Sequence, residues 1–224
     1  QLAFDGQNIP EQGIPLLSLR GTTMEQAHNA ENCMAAKIAG MDIPVEFPAE
    51  VLREAEKLAA AGVTAFDMEG RCDLRGDVIF TIDGASSKDL DDAVSIRRTD
   101  KGWELGVHIA DVSHYVRPNS RLDAEAFERG TSIYYADKVI PMLPEELSNG
   151  ACSLNAGTDK YALSCEITLT PTGQRKRVEI YKSILRSTVR GVYSEVNDLF
   201  EKGDASPWRE KYAAAYPVLL EMRS

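Results

Sequence analysis

Four aspartates stand within ten residues of the stretch TIDGASSKDLDD, which begins at Thr81. They are Asp83, Asp89, Asp91 and Asp92, and we call them the aspartate cluster. Apolar, strand-like sequence on both sides makes it difficult to expose all four carboxylates to water. Two like charges about 4 Å apart repel by roughly 4 kcal/mol at an effective dielectric constant of about 20. The cluster therefore needs solvent screening, protonation or a bound cation.

These residues alone leave two explanations open. The first is a site for a hard cation, because oxygen donors without His or Cys favour Mg²⁺ or Mn²⁺ over zinc. The order of the acids does not match an EF-hand, which argues against a calcium loop of that type. Sites in which carboxylates hold one or two Mg²⁺ ions commonly catalyse phosphodiester hydrolysis. The second explanation is a solvated acidic turn that caps a strand or helix.

The flanking sequence predicts the strands that must position the cluster. Residues 77–82 (DVIFTI) predict a strand that leads into Asp83. The segments DAVSIRR and WELGVHIADVS predict two more strands, and the turn TDKG between them predicts a hairpin. Neighbours in an extended chain point to opposite faces, so Asp91 and Asp92, which open the second strand, diverge unless the chain bends. The segment GASS permits a bend that returns Asp83 towards Asp89 and Asp91.

The remaining elements predict an α+β fold with a mixed or antiparallel sheet flanked by helices. Two further strands are predicted around the turn PTG within residues 162–187. Helices are predicted over residues 22–40, 47–62, 122–130, 193–203 and 208–224. Strands and helices follow one another without regular βαβ alternation, which favours α+β over α/β.

The charge balance argues mildly against a general nucleic-acid binder. The chain of 224 residues has a formal net charge of −10, whereas such binders are usually basic. Residues 175–190 reverse this balance, with one acid, Glu179, among six cations: Arg175, Lys176, Arg177, Lys182, Arg186 and Arg190. This basic run either lines a path for RNA or forms a solvated strand face.

The cysteines and the hydropathy indicate the compartment. The four cysteines, Cys33, Cys72, Cys152 and Cys165, form no C-x-x-C pair, so we expect reduced thiols in the core rather than a zinc knuckle. No apolar run reaches the roughly 18 residues of a membrane helix, and no secretory signal is visible. We expect a cytoplasmic monomer that contacts no membrane.

Several long blocks of the chain resemble one known family. They are TIDGASSKDLDDAV, GVHIADVSHYV, RGTSIYYADKVIPMLPEELSNGACSLN and ALSCEITLTPTG, in this order. Together they resemble the catalytic RNB domain of the ribonuclease II family, and within it the ribonuclease R branch, over about residues 45–224. The resemblance implies a processive, hydrolytic 3′→5′ exoribonuclease. Such an enzyme uses Mg²⁺, with Mn²⁺ as a substitute, and releases nucleoside 5′-monophosphates from the 3′ end of single-stranded RNA.

The resemblance also implies roles for individual residues. The family's four catalytic aspartates fall on the aspartate cluster, so all four are predicted to be catalytic and metal-binding. Asp83 and Asp92 are predicted ligands, Asp89 completes the shell, and Asp91 lies closest to the chemistry. The tyrosine that stacks on the 3′-terminal base falls on Tyr134. Stacking suits an enzyme that tolerates any sequence, since every base has a π-face.

The resemblance predicts that this chain is a fragment. Residues 1–45 are predicted to connect to preceding cold-shock-type domains, and residues 46–224 to form the N-terminal portion of the RNB domain. The S1 domain and the second half of the catalytic domain, with its arginine-bearing motif, are not in the chain. Two alternatives stay open: a non-catalytic RNA-binding relative, against which the four retained aspartates argue, and a fragment that folds but is inactive alone.

Other polar residues near these blocks have weaker claims to a function. Lys88 either contacts a phosphate or is a plain surface lysine. His108 and His114 are predicted to be structural rather than general bases, and Asp111 is predicted to hydrogen-bond locally. Tyr135 is predicted to pack, because it points away from its neighbour in an extended segment.

Overall fold

The computed structural model describes residues 43–135 and 138–223, with the backbone alone at Tyr135 and Lys138. The predicted helix over residues 22–40 lies outside the described residues, as does nearly all of the predicted connecting segment 1–45. The domain boundary at residues 45 and 46 therefore stays a prediction, as does the packing of the Tyr135 side chain.

Nine strands within the described residues form two sheets. The strands are β1 (Cys72–Asp73), β2 (Phe80–Asp83), β3 (Asp92–Thr99), β4 (Gly102–Ala110), β5 (Ile133–Tyr135), β6 (Lys138–Ile140), β7 (Asp159–Leu169), β8 (Arg175–Arg186) and β9 (Val189–Val192). Seven make one sheet in the order β1-β8-β7-β4-β3-β2-β9, while β5 and β6 pair with each other. The edge pairs β1–β8 and β2–β9 are parallel, and all other pairs are antiparallel.

Five α-helices accompany the sheets in the part of the chain that the structure describes. They are α1 (Ala49–Ala61), α2 (Val112–Tyr115), α3 (Arg121–Arg129), α4 (Tyr193–Lys202) and α5 (Tyr216–Arg223), and a π-helical segment covers Glu146–Ala151. Helix α3 begins where the Ser120 hydroxyl accepts a hydrogen bond from the Asp123 N–H, and it ends at Gly130, whose φ is 71°. None of the described helices is long and apolar enough to cross a membrane.

Two apolar clusters hold these elements together. In the first, Val51 and Ala55 of α1 pack with Leu122 of α3, Leu147 of the π-helix and the sheet residues Ala93, Ala110, Ala162 and Ile184. In the second, Phe80 of β2 and Val189 of β9 pack with two C-terminal helices and the turn segment between them, through Val196 and Leu199 of α4, Tyr212 of the turn, and Tyr216 and Leu219 of α5. Burial of β2 and β9 in the second cluster fixes the strand that leads into the aspartate cluster.

The predicted α+β class is confirmed, with a mostly antiparallel sheet and flanking helices. The TDKG hairpin is also confirmed, since Thr99 pairs with Gly102 across the turn. Strand β2 begins at Phe80 rather than at residue 77, because the Asp77 N–H donates to the Leu74 carbonyl in a turn (3.1 Å).

Two other predictions need correction. Only the last part of the helix predicted over residues 208–224 is helical: α5 begins at Tyr216, and Pro217 suits its first turn but not the interior of a longer helix. The prediction of core thiols holds for Cys152, which is buried, but it is wrong for Cys72, which is exposed at the sheet edge.

Candidate active site

Strands β2 and β3 present the aspartate cluster at one end of the sheet. Asp83 is the last residue of β2, and Asp92 is the first residue of the neighbouring β3. Residues 84–91, which we call the aspartate loop, connect the two strands and carry Asp89 and Asp91. The predicted bend is present as a turn in which the Ser87 N–H donates to the Gly84 carbonyl (3.1 Å). Asp91, predicted to open the strand, lies one residue before it.

The segment that follows the π-helix anchors the end of the aspartate loop. The buried Ser153 hydroxyl accepts from the Leu90 N–H (3.0 Å) and donates to the Lys88 carbonyl (2.9 Å). The Leu154 N–H donates to the Leu90 carbonyl (2.8 Å). Leu90 itself is 1% exposed. The side chain between Asp89 and Asp91 is therefore buried, which leaves its two acidic neighbours at the surface of the loop.

Strand β4 supports the other side of the cluster. The Ala110 N–H donates to the Asp91 carbonyl (2.9 Å), and Asp92 stands opposite Ile109 in the ladder. The ladder thus continues one step past the end of β3 and holds the backbone of Asp91, although its side chain remains exposed.

Strand β9 contributes Arg190, a residue that sequence analysis placed in the basic run without linking it to the aspartates. One nitrogen of its guanidinium, Nη2, donates to the carbonyls of Ala85 (3.0 Å) and Ser87 (2.6 Å) in the aspartate loop. No local pattern signals this contact, because Arg190 and Ser87 are 103 positions apart.

Burial and repulsion act together on Asp83. Burial raises the pKa of its carboxyl most, and the Asp92 carboxylate raises that pKa further. The Thr81 hydroxyl and the Arg190 guanidinium oppose this rise. Neither the buried Oδ2 of Asp83 nor the Oγ1 of Thr81 has a hydrogen-bond partner of normal geometry.

The pKa of Asp91 is also raised. Surrounding protein atoms raise it most, although the side chain is exposed at the surface, and the carboxylates of Asp89, Asp92 and Asp83 follow in that order. The four side chains therefore act on one another as a single electrostatic cluster. Such repulsion is what a bound cation relieves.

The two-stranded sheet brings Tyr134 to the same place. Its hydroxyl donates to Oδ2 of Asp89 (3.0 Å), and this hydrogen bond raises the pKa of the tyrosine. Tyr134 is 66% exposed, so its ring has a free face. The structure thus joins the predicted base-stacking residue to the predicted metal ligands, whose roles stay predictions.

The chemistry of these residues fits a hard divalent cation, although the ligands are not closed around one. Among the described residues, no three His, Cys, Asp or Glu side chains stand as close together as the ligands of one metal ion. The donors are carboxylate oxygens that repel one another, and one of them, Oδ2 of Asp83, is buried without a partner. A cation would satisfy that oxygen, and the exposed side chains of Asp91 and Asp92 would need to rotate to join it.

Three other polar side chains, those of His108, Asp111 and His114, contact neighbouring residues of the fold. His108 is buried between the hydroxyls of Ser95 (3.1 Å) and Ser164 (2.7 Å), and burial lowers its pKa to about 4. Asp111 forms a buried ion pair with Arg71 (2.7 Å), and the same guanidinium contacts Nδ1 of His114 (3.3 Å). None of these contacts reaches the aspartate cluster.

The family follows from a comparison with known domains. A model of the RNB domain matches residues 71–223. The chain belongs to the RNB domain family. It is 50% identical over 177 residues to ribonuclease R 1 of Lactococcus lactis, which covers 79% of the chain and 21% of that relative. It is 50% identical over 168 residues to ribonuclease R of Thermotoga maritima, covering 75% of the chain and 23% of the relative.

Solved RNB structures agree with the fold. RNase R of Mycoplasma genitalium in complex with ribose-methylated single-stranded RNA matches 85% of the chain and 31% of its own length, at a TM-score of 0.73 and 32% identity. Yeast Ssd1, a pseudonuclease, shares the fold at a TM-score of 0.58 and 22% identity. The chain spans between 21% and 31% of the length of these ribonuclease R relatives.

Proposed function

We propose that this chain carries the metal-binding part of the active site of a hydrolytic 3′→5′ exoribonuclease. The enzyme would degrade single-stranded RNA from its 3′ end to nucleoside 5′-monophosphates, as a cytoplasmic monomer. The observation that carries the proposal is the aspartate cluster of an RNB domain, anchored from three sides and joined to Tyr134 by a hydrogen bond to Asp89.

The four aspartates would have different roles in metal binding and catalysis. Asp83 and Asp92, at facing ends of two paired strands, would hold Mg²⁺, and Asp89 would complete the shell. When bound, Mg²⁺ or Mn²⁺ lowers the pKa of a coordinated water and stabilises charge on the phosphate oxygens. Asp91 would lie nearest the chemistry.

Tyr134 would hold the 3′-terminal nucleotide. Its exposed ring can stack on any base, an interaction worth about 1–3 kcal/mol. Its hydroxyl is bonded to Asp89, which fixes the distance between the stacked base and the carboxylates. A base held there would present its phosphodiester to the cluster independently of sequence.

Two alternatives have specific support. A non-catalytic RNA-binding role is compatible with the absence of three converged ligands among the described side chains and with a fold that a pseudonuclease shares. A fragment that is inactive alone is compatible with a chain that spans 21–31% of its ribonuclease R relatives.

A nuclease assay and a metal titration together separate these possibilities. The chain is incubated with 5′-labelled single-stranded RNA and Mg²⁺, Mn²⁺ or EDTA. We expect shortening to a product of a few nucleotides, dependent on metal and lost in Asp91→Asn. Uncut RNA together with Mn²⁺ binding through the aspartates supports the inactive fragment. Uncut RNA without Mn²⁺ binding contradicts the proposal and supports the non-catalytic relative.

A further inference from the structure

The buried polar atoms that lack partners lie in one place. Within the described residues they are Thr81 Oγ1, Asp83 Oδ2 and Arg190 Nε. Thr81 stands opposite Arg190 in the parallel ladder of β2 and β9, and Asp83, two residues further on, shares the face of Thr81. Native proteins leave few buried polar groups unsatisfied, and each asks for an explanation. The ends of β2 and β9 therefore carry polar groups that do not stabilise the fold, which points to a function for them.

Arg190 is the residue among these three that reaches the aspartate loop. Its Nη2 donates to the carbonyls of Ala85 and Ser87, which lie between Asp83 and Asp89 in the chain. Because one cationic nitrogen donates to both carbonyls, both are held close to β9. The loop that carries two of the four aspartates is thus tied to a strand more than one hundred positions away.

Close packing of the two strands leaves Arg190 little freedom. The next residue, Gly191, lies so near β2 that a Cβ there would stand 2.3 Å from the Thr81 carbonyl oxygen. The backbone of Arg190 is thereby pressed against the strand that ends in Asp83. Its positive charge also acts on the Asp83 carboxylate, opposing the repulsion from Asp92 and Asp89.

These contacts differ from those of an RNA ligand. A cation that binds phosphate needs an exposed charged end, whereas Nη2 of Arg190 donates to protein carbonyls and Nε is buried. Other members of the basic run pair with acids instead: Arg186 with Asp159 and Arg177 with Glu179. Acids therefore partly neutralise two members of the basic run, whereas Arg190 contacts backbone carbonyls.

We propose that Arg190 is a positioning residue that holds the aspartate loop in the conformation from which the four carboxylates close on a divalent cation. The inference rests on the proposed function, because it concerns the same site. It assigns Arg190 no contact with RNA and no part in the chemistry itself.

Mn²⁺ binding by the chain, measured by electron paramagnetic resonance, tests the proposal without relying on activity. Arg190→Met removes the donors, and Arg190→Lys keeps a cation that can reach the carbonyls. Loss of a group that orients metal ligands typically weakens metal binding about 10- to 100-fold, which is the effect expected for Arg190→Met. Arg190→Lys is expected to retain most of the affinity. Hydrogen exchange of residues 84–91 is expected to accelerate in the Met variant alone.

Arg97→Met is the matched control. Arg97 lies on β3 of the same sheet and pairs with Glu104 at the surface, away from the aspartates. It is expected to bind Mn²⁺ as the unaltered chain does. Its melting temperature shows what the loss of one arginine does to the sheet in general.

Three results would overturn the inference. The first is an Arg190→Met variant with unchanged Mn²⁺ affinity, and the second is an Arg190→Lys variant that folds but binds Mn²⁺ as weakly as Arg190→Met does. The third is unchanged Mn²⁺ binding with weaker, less salt-dependent RNA binding, which assigns Arg190 to phosphate. If the unaltered chain binds no Mn²⁺, the proposed function fails first, and the inference falls with it. If Arg190→Met does not fold, Arg190→Lys decides.

Discussion

At the residue scale, the four aspartates of the cluster differ in their surroundings. Asp83 is half-buried with one unpartnered oxygen, Asp89 accepts a hydrogen bond from Tyr134, and Asp91 and Asp92 are exposed. The pKa values of Asp83 and Asp91 are raised, which means that folding disfavours their charged forms. Without a cation, the cluster therefore costs folding free energy at neutral pH.

The pH dependence of stability has a definite sign. A carboxyl whose pKa is raised above its unfolded value, near 3.8 here, destabilises the fold above its folded pKa, and this cost vanishes as the pH falls below 3.8. In EDTA, the double variant Asp83→Asn/Asp91→Asn should be more stable than the unaltered chain at about pH 7 and lose this advantage towards about pH 4. Urea unfolding at several pH values measures it. A difference that does not change with pH would contradict the electrostatic origin.

The ring and the hydroxyl of Tyr134 have separable roles. Tyr134→Phe keeps the ring and should retain most of the affinity for single-stranded RNA, because the lost hydrogen bond to Asp89 is solvent-exposed. Tyr134→Ala removes the ring and should weaken binding by about 1–3 kcal/mol, or roughly 5- to 150-fold. Fluorescence anisotropy in EDTA, where hydrolysis is blocked, gives both affinities. Equal losses in the two variants would show that the hydroxyl, rather than stacking, holds the RNA.

At the scale of elements, the aspartate loop depends on three segments that are remote from it in sequence. Ser153 and Leu154 hold Leu90, Ala110 of β4 holds Asp91, and Arg190 of β9 holds the turn at Ser87. On the loop side every one of these bonds uses a backbone atom, so the residue types of the loop give little sign of them. The loop is positioned by the fold around it rather than by its own sequence.

Ser153 should therefore matter more than its small size implies. Ser153→Ala leaves the buried Leu90 N–H without an acceptor, and such a loss costs about 1–3 kcal/mol. Chemical unfolding should show this decrease. Ser148→Ala is the control, since the Ser148 hydroxyl makes one long bond to the Pro144 carbonyl (3.4 Å). If the two variants lose equal stability, the Ser153 hydroxyl does not stabilise the loop more than an ordinary hydroxyl does.

Sequence patterns predict some of these elements and miss others for physical reasons. Strands β3, β4, β7 and β8 are long and end in clear turns, so their hairpins are visible in the sequence. Strand β9 has four residues and pairs in parallel with a distant partner, so no local pattern distinguishes it. The aspartates were identifiable from their charge density and the family resemblance, whereas Arg190 could be linked to them only through the fold.

At the scale of the whole molecule, the large sheet leaves apolar side chains uncovered. Ile109 stands opposite Leu163, and residues 178 and 180 of β8 lie on the same face by alternation. All four positions are exposed, Ile180 the most at 68%. Contiguous apolar surface of this kind promotes association.

Ile180→Lys should remove part of that surface without harming the fold. Because the side chain is mostly exposed, the free energy of unfolding should change by no more than about 0.5 kcal/mol. Sedimentation at increasing protein concentration should show less self-association than in the unaltered chain. Equal association of both proteins would mean that this face makes no contacts in solution. Unfolding of the variant would mean that Ile180 contributes to packing.

The pairing of β2 with β9, which lie far apart in sequence, means that the aspartates are synthesised well before the residues that anchor their loop. A ribosome adds Asp83 to the growing chain long before Ser153, which lies 63 positions after Leu90, and longer still before Arg190, which lies 103 positions after Ser87. Synthesis thus supplies the acids first and their anchors last. In the proposed nuclease, the aspartate loop of a nascent chain would reach its anchored conformation only after Arg190 has been synthesised.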